Sequence, residues 1–346
     1  MKVLQAMAGA QYGGAEAFFT RLAIAFEKAG LNQRVVIRED EARAKILRAG
    51  GVEPVQLPFG GKFDFKTGRA LKREIAEFKP DIVLTWMNRA TGMCPKGDFV
   101  HAARQGGYYN MKYYRHCDHI VGNTEDIVDY LVKEGWPKER AHYLPNFVTA
   151  ERVPPISRKS FYTPETAPLI LALGRLHENK AFDTLLKAVA RVPGAYLWIA
   201  GEGPLRRDLE LLAEKLAIKP RVRFLGWRED TPALFAAADL FVCPSRHEPL
   251  GNVVIEAWAQ GKPVVATDSL GPGTLITPRV DGLLTPVDDD VALGSALKWM
   301  VQNPDEADRL AEGGYEAYCR DFTEDAVVKR YFEFFERILQ QKDAET

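Results

Sequence analysis

The sequence predicts an α/β protein made of two doubly wound domains, each built on a mostly parallel sheet. Short apolar runs bounded by turn residues alternate with amphipathic segments of helical period. This alternation stops at a proline-rich polar stretch after residue 150 and then begins again. The length of 346 residues suits two domains of roughly 150 residues each.

The first half opens with a strand at 2–7, a glycine-containing loop and a helix at 15–29. The elements predicted next are a strand at 35–38, helices at 42–49 and 67–78, a buried strand at 81–85, and a helix at 125–134 with Thr124 as its N-cap. Four prolines between residues 154 and 168 then indicate a linker. We place the first domain at residues 1–155.

The second half repeats the alternation and predicts a second domain at residues 156–323. Its predicted elements are strands at 169–174, 196–200, 222–225, 240–243 and 263–267, with helices at 182–192, 205–216, 232–237 and after residue 251. The last segment, 324–346, carries apolar residues at helical period from Val327 to Leu339. Such a stripe must pack on another surface.

Composition excludes several classes of protein. A formal net charge of −1 provides no overall field that attracts nucleic acid, so we expect no nucleic-acid partner. The four cysteines lack zinc-like spacing, which favours reduced thiols in a reducing compartment. The chain opens without a signal-peptide core, and no apolar run approaches the roughly 20 residues of a membrane span. We expect a cytoplasmic protein that could still touch the inner membrane surface.

The segment 244–256 is the most informative part of the sequence, because it places two carboxylates across a strand-loop-helix junction. Glu248 lies on the loop and Glu256 about one turn inside the predicted helix, so both can face one crevice at the carboxyl end of the sheet. Backbone N–H groups near Gly251 have no intrahelical partners and suit a phosphate. A phosphate flanked by two hydroxyl-binding carboxylates describes a site for a nucleotide sugar.

Two further loops of the second domain follow strands and belong to the same edge of the sheet. Arg175 and Lys180 could turn into the crevice and clamp a diphosphate. Gly201 and Gly203 form a Gly-x-Gly turn, but Arg206 occupies the place of the third glycine of a dinucleotide fingerprint. We interpret it as a tight turn beside the nucleotide, and the dehydrogenase alternative is weak.

In the first domain, Gly13 and Gly14 stand at a predicted helix N-terminus, where glycine lets a backbone approach a ligand closely. Together with the motifs at 174–180, 201–204, 248–256 and 261–266, this loop resembles the family 4 retaining glycosyltransferases of the GT-B fold, in particular the envelope or lipopolysaccharide-core type. The resemblance covers nearly the whole chain. It implies two Rossmann-like domains that face each other across a cleft, with segment 324–346 packed back on the N-terminal domain.

The resemblance also implies the roles of the donor-site residues. Arg175 and Lys180 would hold the donor diphosphate, Glu256 would bind the ribose, and Glu248 would contact the transferred sugar. Backbone at Leu250, Gly251 and Asn252 would touch phosphate and sugar, and Gly13 and Gly14 would approach the pyrophosphate. Gly201 and Gly203 complete the set of donor-binding residues.

The implied reaction moves a hexose-type sugar, with retention, from a nucleoside diphosphate sugar to a glycan or lipid-linked acceptor in cell-envelope or lipopolysaccharide synthesis. It needs no cofactor and no metal, because cations and a helix dipole can stabilise the departing diphosphate. Two alternatives stay open. One is a nucleotide-sugar epimerase of the same fold, and the other is a non-catalytic protein that binds nucleotide sugars.

The first domain departs from the family at the position of a histidine that usually ends a mid-domain strand beside the donor sugar. Either His101 or Arg104 could fill that role, and His101 is counted with the catalytic residues. Asn88 and Arg89 follow the strand at 81–85 and, with Arg104, are expected on the acceptor side.

Two other patterns allow competing interpretations. The acidic run 288–290 could suggest a metal site, but it precedes a helical stretch at 291–300, which favours capping. Segment 104–119 interleaves tyrosines with cations, as in an interfacial patch for a lipid-linked acceptor at an anionic membrane. The alternative is an amphipathic helix that lines the acceptor cleft or packs in the core.

Overall fold

The chain divides into two compact units, and the computed structural model describes residues 1–11, 13–60 and 64–345. Unit 1 comprises Met1–Phe147 and Glu324–Thr346, and unit 2 comprises Val148–Thr323. The boundary therefore precedes the proline-rich stretch at which the sequence places it. Val148 already belongs to unit 2, because its side chain enters that core and its N–H donates to the Phe322 carbonyl at 3.3 Å.

Unit 1 holds a seven-stranded parallel sheet in the order β3-β2-β1-β4-β5-β6-β7. Its strands are β1 (Lys2–Met7), β2 (Asn32–Arg38), β3 (Val55–Leu57), β4 (Ile82–Trp86), β5 (Val100–Gln105), β6 (His119–Gly122) and β7 (Ala141–Tyr143). The helices between them are α1 (Gly14–Lys28), α2 (Glu41–Ala49), α3 (Phe65–Phe78), α4 (Met87–Met93) and α5 (Glu125–Lys133). Thr124 caps α5, as predicted, by accepting the N–H of Ile127.

Unit 2 holds a six-stranded parallel sheet in the order β10-β9-β8-β11-β12-β13. The strands are β8 (Leu169–Leu173), β9 (Tyr196–Ala200), β10 (Val222–Gly226), β11 (Leu240–Cys243), β12 (Val264–Thr267) and β13 (Leu283–Thr285). The helices are α6 (Phe182–Ala190), α7 (Arg206–Lys215), α8 (Thr231–Ala237), α9 (Asn252–Ala259), α10 (Leu270–Leu275), α11 (Asp290–Gln302) and α12 (Pro304–Asp321), after which α13 (Glu324–Glu345) returns to unit 1.

Helix α13 completes the core of unit 1. Its apolar stripe packs against α1, where the Phe26 ring lies 5.4 Å from Tyr331 and 5.8 Å from Phe335 between ring centroids. Phe334 and Ile338 are fully buried in the same cluster. The stripe therefore covers apolar surface that the first 147 residues would otherwise expose to water, which stabilises the unit.

Candidate active site

The centre of the unit 2 sheet is a topological switch point, where the strand order reverses between β8 and β11. β8 continues to β9 on one side and pairs with β11 on the other. The loops that follow β8 and β11 therefore diverge and leave a crevice at the carboxyl edge, which is where open α/β sheets bind ligands. Residues 174–181 form one of these loops and residues 244–251 the other.

An ion pair joins the two loops. Lys180 Nζ contacts Glu248 Oε2, and both side chains are largely shielded from water, with exposed fractions of 23% and 11%. The Lys180 stem runs along Gly174, where an added Cβ would lie 3.4 Å from the lysine carbons and where φ is +150°. Arg175 is exposed and makes no hydrogen bond or ion pair with the described residues. The structure thus brings Lys180 and Glu248 together and leaves the Arg175 guanidinium available beside them.

Arg246 fixes the shape of the Glu248 loop. Its guanidinium donates to both carboxylate oxygens of Asp183 on α6, at 3.0 and 2.8 Å, and pairs with Asp288 at 2.6 Å. Burial alone would raise the pKa of Asp183, but the hydrogen bonds and charge of Arg246 bring it below the usual value. The backbone N–H of Arg246 also donates to the Asn179 carbonyl at 2.8 Å. These contacts fix the position of the Glu248 loop relative to the loop that carries Lys180.

Helix α9 places the second carboxylate. Gly251 is its N-cap with φ +65°, a conformation that favours glycine, and no side chain caps the helix. The N–H groups of Asn252 and Val253 in the first turn of α9 therefore keep the capacity to bind an anion, whereas those of Val254 and Ile255 donate to the Gly251 carbonyl at 2.8 and 3.3 Å. Glu256 is half-buried on this helix. The Gly271 N–H donates to the Glu248 carbonyl at 2.7 Å, which supports the loop from behind.

Gly201 and Gly203 serve close packing between two loops. The Leu176 N–H donates to the Glu202 carbonyl at 3.0 Å, and the Leu205 N–H donates to the Leu176 carbonyl at 3.1 Å. A Cβ on Gly203 would lie 2.7 Å from the Leu176 nitrogen, and one on Gly201 would overlap the Gly174 carbonyl. The predicted tight turn is present, and it braces the loop that carries Arg175.

We expect Gly203→Ala to destabilise the protein by about 1–3 kcal/mol, because the added methyl meets fixed backbone and the two loops must separate. The matched change Gly68→Ala in α3, where a Cβ meets nothing within 4 Å, should instead stabilise by about 0.5–1 kcal/mol. Urea unfolding of both variants measures the difference. Equal stability of Gly203→Ala and the native chain would contradict this packing role.

The acidic run 288–290 caps a helix and forms ion pairs within unit 2. Asp289 caps α11 by accepting the N–H groups of Val291 and Ala292 at 3.1 and 2.8 Å, as the capping interpretation predicted. Asp288 pairs with Arg246, and Asp290 pairs with Arg191 at 2.8 Å. Within residues 1–11, 13–60 and 64–345, no group of three or more His, Cys, Asp and Glu side chains is arranged to hold a metal.

The glycine loop of unit 1 surrounds a carboxylate of its own chain. Glu16 is buried in the first turn of α1, and its Oε1 accepts the Ala10 N–H at 2.8 Å. A Cβ on Gly9 would lie 2.5 Å from the Glu16 side chain, and one on Gly13 would overlap the carboxylate. A Cβ on Gly14 would meet nothing. A side chain at Gly13 would therefore require the Glu16 carboxylate to move.

His101 is buried inside unit 1. It is the second residue of β5, near the amino end of a parallel strand, and is 5% exposed. Its Nε2 lies 2.9 Å from Thr85 Oγ1, and burial lowers its pKa to about 4. The assignment of His101 to the catalytic residues stays a prediction. Among the described residues its ring contacts Thr85, which lies close to the carboxyl end of β4, and Cys117.

We expect His101 to make the protein sensitive to acid. Because the folded state binds its proton with a pKa of about 4 and the unfolded chain with a pKa near 6.5, stability falls as pH drops from about 6.5 to about 4 and then levels off. The loss amounts to at most about 3 kcal/mol. His101→Gln should flatten this part of the curve of unfolding free energy against pH. An unchanged slope in the variant would assign the acid sensitivity to other groups.

The three acceptor-side candidates are also held within unit 1. Arg104 is 2% exposed, donates to Tyr331 Oη at 2.8 Å and to Asn146 Oδ1 at 2.6 Å, and lies over the Trp86 ring at 4.6 Å. Arg104 thereby joins α13 to β5, and its place on the acceptor side stays a prediction. Asn88 Oδ1 accepts the hydroxyl of Tyr114 at 2.7 Å, and Arg89 donates to the Phe59 carbonyl at 3.0 Å.

Segment 104–119 does not form the amphipathic helix that one interpretation expected. Residues up to Gln105 belong to β5, Met111–Tyr113 form a single 3-10 turn, and His119 begins β6, while the remaining residues are irregular. Tyr114 is fully buried, whereas Tyr113 is 42% exposed with Lys112 Nζ 4.9 Å from its ring centre. The exposed aromatic and basic residues of this segment are therefore divided between Tyr108 and the turn at 111–116.

Sequence reasoning missed two buried amides at the carboxyl edge of unit 1. Gln105 ends β5 and Asn123 follows β6, the neighbouring strand. Neither Gln105 Oε1 nor Asn123 Oδ1 has a hydrogen-bond partner in the described part of the chain. Buried polar atoms normally have partners, so both are candidates for contact with a ligand. A strand prediction at 100–105 would have put Gln105, rather than His101, at the ligand edge.

Comparison with known proteins agrees with this architecture. The model of Glycosyltransferase Family 4 matches residues 12–152, and that of Glycosyl transferases group 1 matches residues 155–317. The lipopolysaccharide core biosynthesis glycosyltransferases LpsE and LpsD of Rhizobium meliloti are 37% and 34% identical, over 93% and 97% of this chain and 95% and 98% of theirs. HepE from Anabaena, solved with UDP, has a TM-score of 0.83 at 19% identity, over 97% of this chain and 100% of its own.

Fold and site together define a glycosyltransferase of the GT-B fold, with two Rossmann-like units on parallel sheets. The similarity to LpsE and LpsD extends over both units. The chain belongs to family 4 of the glycosyltransferases, the family to which the sequence motifs pointed. No helix in the described ranges combines the length and apolar character needed to cross a membrane.

Proposed function

We propose that the protein transfers a sugar, with retention and without a metal, from a nucleoside diphosphate sugar to a glycan or lipid-linked acceptor of the lipopolysaccharide core. The observation that carries this proposal is the Lys180–Glu248 ion pair at the switch point of unit 2. The same loop carries Arg175, whose exposed guanidinium has no partner among the described residues. The acceptor class is supported by LpsE and LpsD, which are described as lipopolysaccharide core biosynthesis enzymes. A uridine nucleotide is supported by the UDP bound to HepE.

The residues of unit 2 suit loss of a diphosphate. As the bond from the anomeric carbon to the diphosphate oxygen breaks, negative charge grows on the leaving oxygens. Lys180, Arg175 and the N-terminus of α9 stabilise that charge, which is the contribution a metal ion would otherwise make. The acceptor hydroxyl attacks from the same face, and its proton passes to the departing phosphate oxygen.

The two carboxylates have separate tasks in this mechanism. Glu256 accepts hydrogen bonds from the ribose hydroxyls, and Glu248 accepts them from the sugar. Because Lys180 pairs with Glu248, one cation orients both the sugar-binding carboxylate and the diphosphate. Glu248 acts as a positioning group and forms no covalent bond to the sugar.

Product analysis tests the proposal. The protein is incubated with uridine, guanosine and adenosine diphosphate sugars and with lipopolysaccharide that lacks its outer core sugars, in the presence of EDTA. We expect one donor to be consumed and the new linkage to keep the donor's anomeric configuration by NMR. An inverted linkage would contradict retention. Loss of transfer in EDTA that manganese restores would contradict metal independence.

We also propose that the turn at 111–116 touches an anionic membrane that presents the acceptor. Lys112, Tyr113, Arg115 and His116 are exposed there, and basic residues near such a surface contribute about 1 kcal/mol each. The double change Lys112→Glu with Arg115→Glu should reduce co-sedimentation with phosphatidylglycerol vesicles by about tenfold or more. Transfer to a soluble acceptor should stay normal. Absence of vesicle binding by the native protein would refute this contact.

A further inference from the structure

A groove between α1 and α2 lies at the carboxyl edge of the unit 1 sheet, beside the ends of β1 and β2. Its volume is about 350 Å³, within the range of about 300–1,000 Å³ that small-molecule sites occupy. Ala17 and Thr20 of α1 form one wall, and Ala42 and Ile46 of α2 form the other. Gly13, which the family resemblance assigns to the donor pyrophosphate, also lines this groove, and the mechanism proposed above uses none of its other lining residues.

The walls of the groove are apolar and open to solvent. Ala17 and Ala42 are exposed, and Ile46 is 56% exposed, so three neighbouring apolar side chains face water on two helices. An exposed apolar strip in a concave setting is typical of a ligand site. The flat apolar face of a sugar ring or an aliphatic chain could cover it.

Arg43 supplies a polar group at this groove. It is 6% exposed, and its Nη2 donates to the carbonyls of Ala10 and Gln11 at 2.8 and 3.1 Å. Its Nη1, by contrast, has no hydrogen-bond partner among the described residues. A buried guanidinium N–H without a partner is costly, and an oxygen of a bound molecule would satisfy it.

The groove is lined by equal numbers of positively and negatively charged side chains. Arg21 and Arg43 line it together with Glu16 and Asp40, and Arg43 pairs with Asp40 at 3.3 Å. Glu16 is already engaged by the Ala10 N–H. A phosphate would meet as much negative as positive charge here, so the site does not favour an anion. A neutral molecule with an apolar face and hydroxyl groups at its edge fits both features.

We propose that this groove binds a neutral pyranose unit of the acceptor, with the ring face on Ile46 and Ala17 and a sugar oxygen on Arg43 Nη1. The inference rests on the proposed function, since it assigns a place to the acceptor glycan. It also names a site that lies entirely within unit 1.

Saturation-transfer NMR with the full chain tests the site, using the methyl α-pyranosides of glucose, galactose and mannose as probes. Ile46→Trp and Ala17→Trp fill the groove from opposite walls. Lys45→Trp places the same side chain at an exposed position of α2 that does not line the groove. We expect at least one pyranoside to bind the native chain and Lys45→Trp equally, with its dissociation constant raised at least tenfold in both groove variants.

Three outcomes would overturn the inference. They are the absence of a saturation-transfer signal for every pyranoside, equal binding of the pyranoside by the native chain and all three variants, or binding of decanoate with no binding of any sugar. A thermal unfolding midpoint equal to that of the native chain shows that each variant is folded. Failure of the proposed function is a separate result. It would appear as absence of nucleotide-sugar turnover by the native chain, whatever the pyranosides do.

Discussion

Lys180→Ala is expected to abolish sugar transfer and to weaken nucleoside diphosphate binding. Removing one preorganised group that stabilises developing charge lowers turnover by about 100- to 1,000-fold in comparable sites. Loss of a charge-assisted hydrogen bond to the diphosphate should raise its dissociation constant by about tenfold or more. Both effects have one cause, because the same ammonium group contacts the ligand before and during the reaction.

Steady-state kinetics and UDP titration calorimetry measure the two effects in Lys180→Ala. Lys187→Ala is the matched control, since Lys187 is exposed on α6 of the same unit. The control should behave as the native protein. Native turnover in Lys180→Ala, at a thermal midpoint equal to that of the native chain, would remove the clamp from the mechanism.

Glu248→Gln is expected to lower turnover without weakening UDP binding, unlike Lys180→Ala. The amide keeps the shape of the side chain and removes the charge that Lys180 faces. Turnover should fall by about 100-fold, because the sugar loses a carboxylate that orients it. UDP affinity should stay equal or increase, since the Lys180 ammonium group no longer pairs with a carboxylate that competes with the diphosphate.

The comparison of the two variants separates binding from catalysis. Glu178→Gln is the control, because Glu178 is exposed on the same loop as Lys180. The double variant should lose little more than Lys180→Ala alone, as expected for two groups that act as a pair. A Glu248→Gln enzyme that keeps native turnover, or that loses UDP binding, would contradict the assigned role.

The sequence predicted the two loops at the carboxyl edge of the unit 2 sheet, because the residues of each loop lie close together along the chain. Their donor-binding roles stay predictions. Glu248, Gly251 and Glu256 belong to one strand-loop-helix junction, and Arg175 and Lys180 belong to another. Two parallel strands bring their carboxyl ends to one edge, so the residue order alone placed both loops there. Arg246 was missed, because its partners Asp183 and Asp288 are distant in sequence.

Unit 1 was predicted less well, for a physical reason visible in β5. The strand reads Val-His-Ala-Ala-Arg-Gln and is buried throughout, yet three of its side chains are polar. Thr85, Asn146 and Tyr331 satisfy His101 and Arg104 from other parts of the chain. Burial of polar groups depends on such distant partners, which no local pattern reveals.

The sequence by itself determined the two parallel-sheet domains, the glycosyltransferase family and the two loops at the carboxyl edge of the unit 2 sheet. These features depend on hydrophobic period and on residues within a few positions of one another. Only the tertiary structure decided that Glu16 occupies the glycine loop, that Arg104 fastens α13 to β5, and that Lys180 meets Glu248. Each of those facts is a contact between elements, and packing fixes which side chains meet.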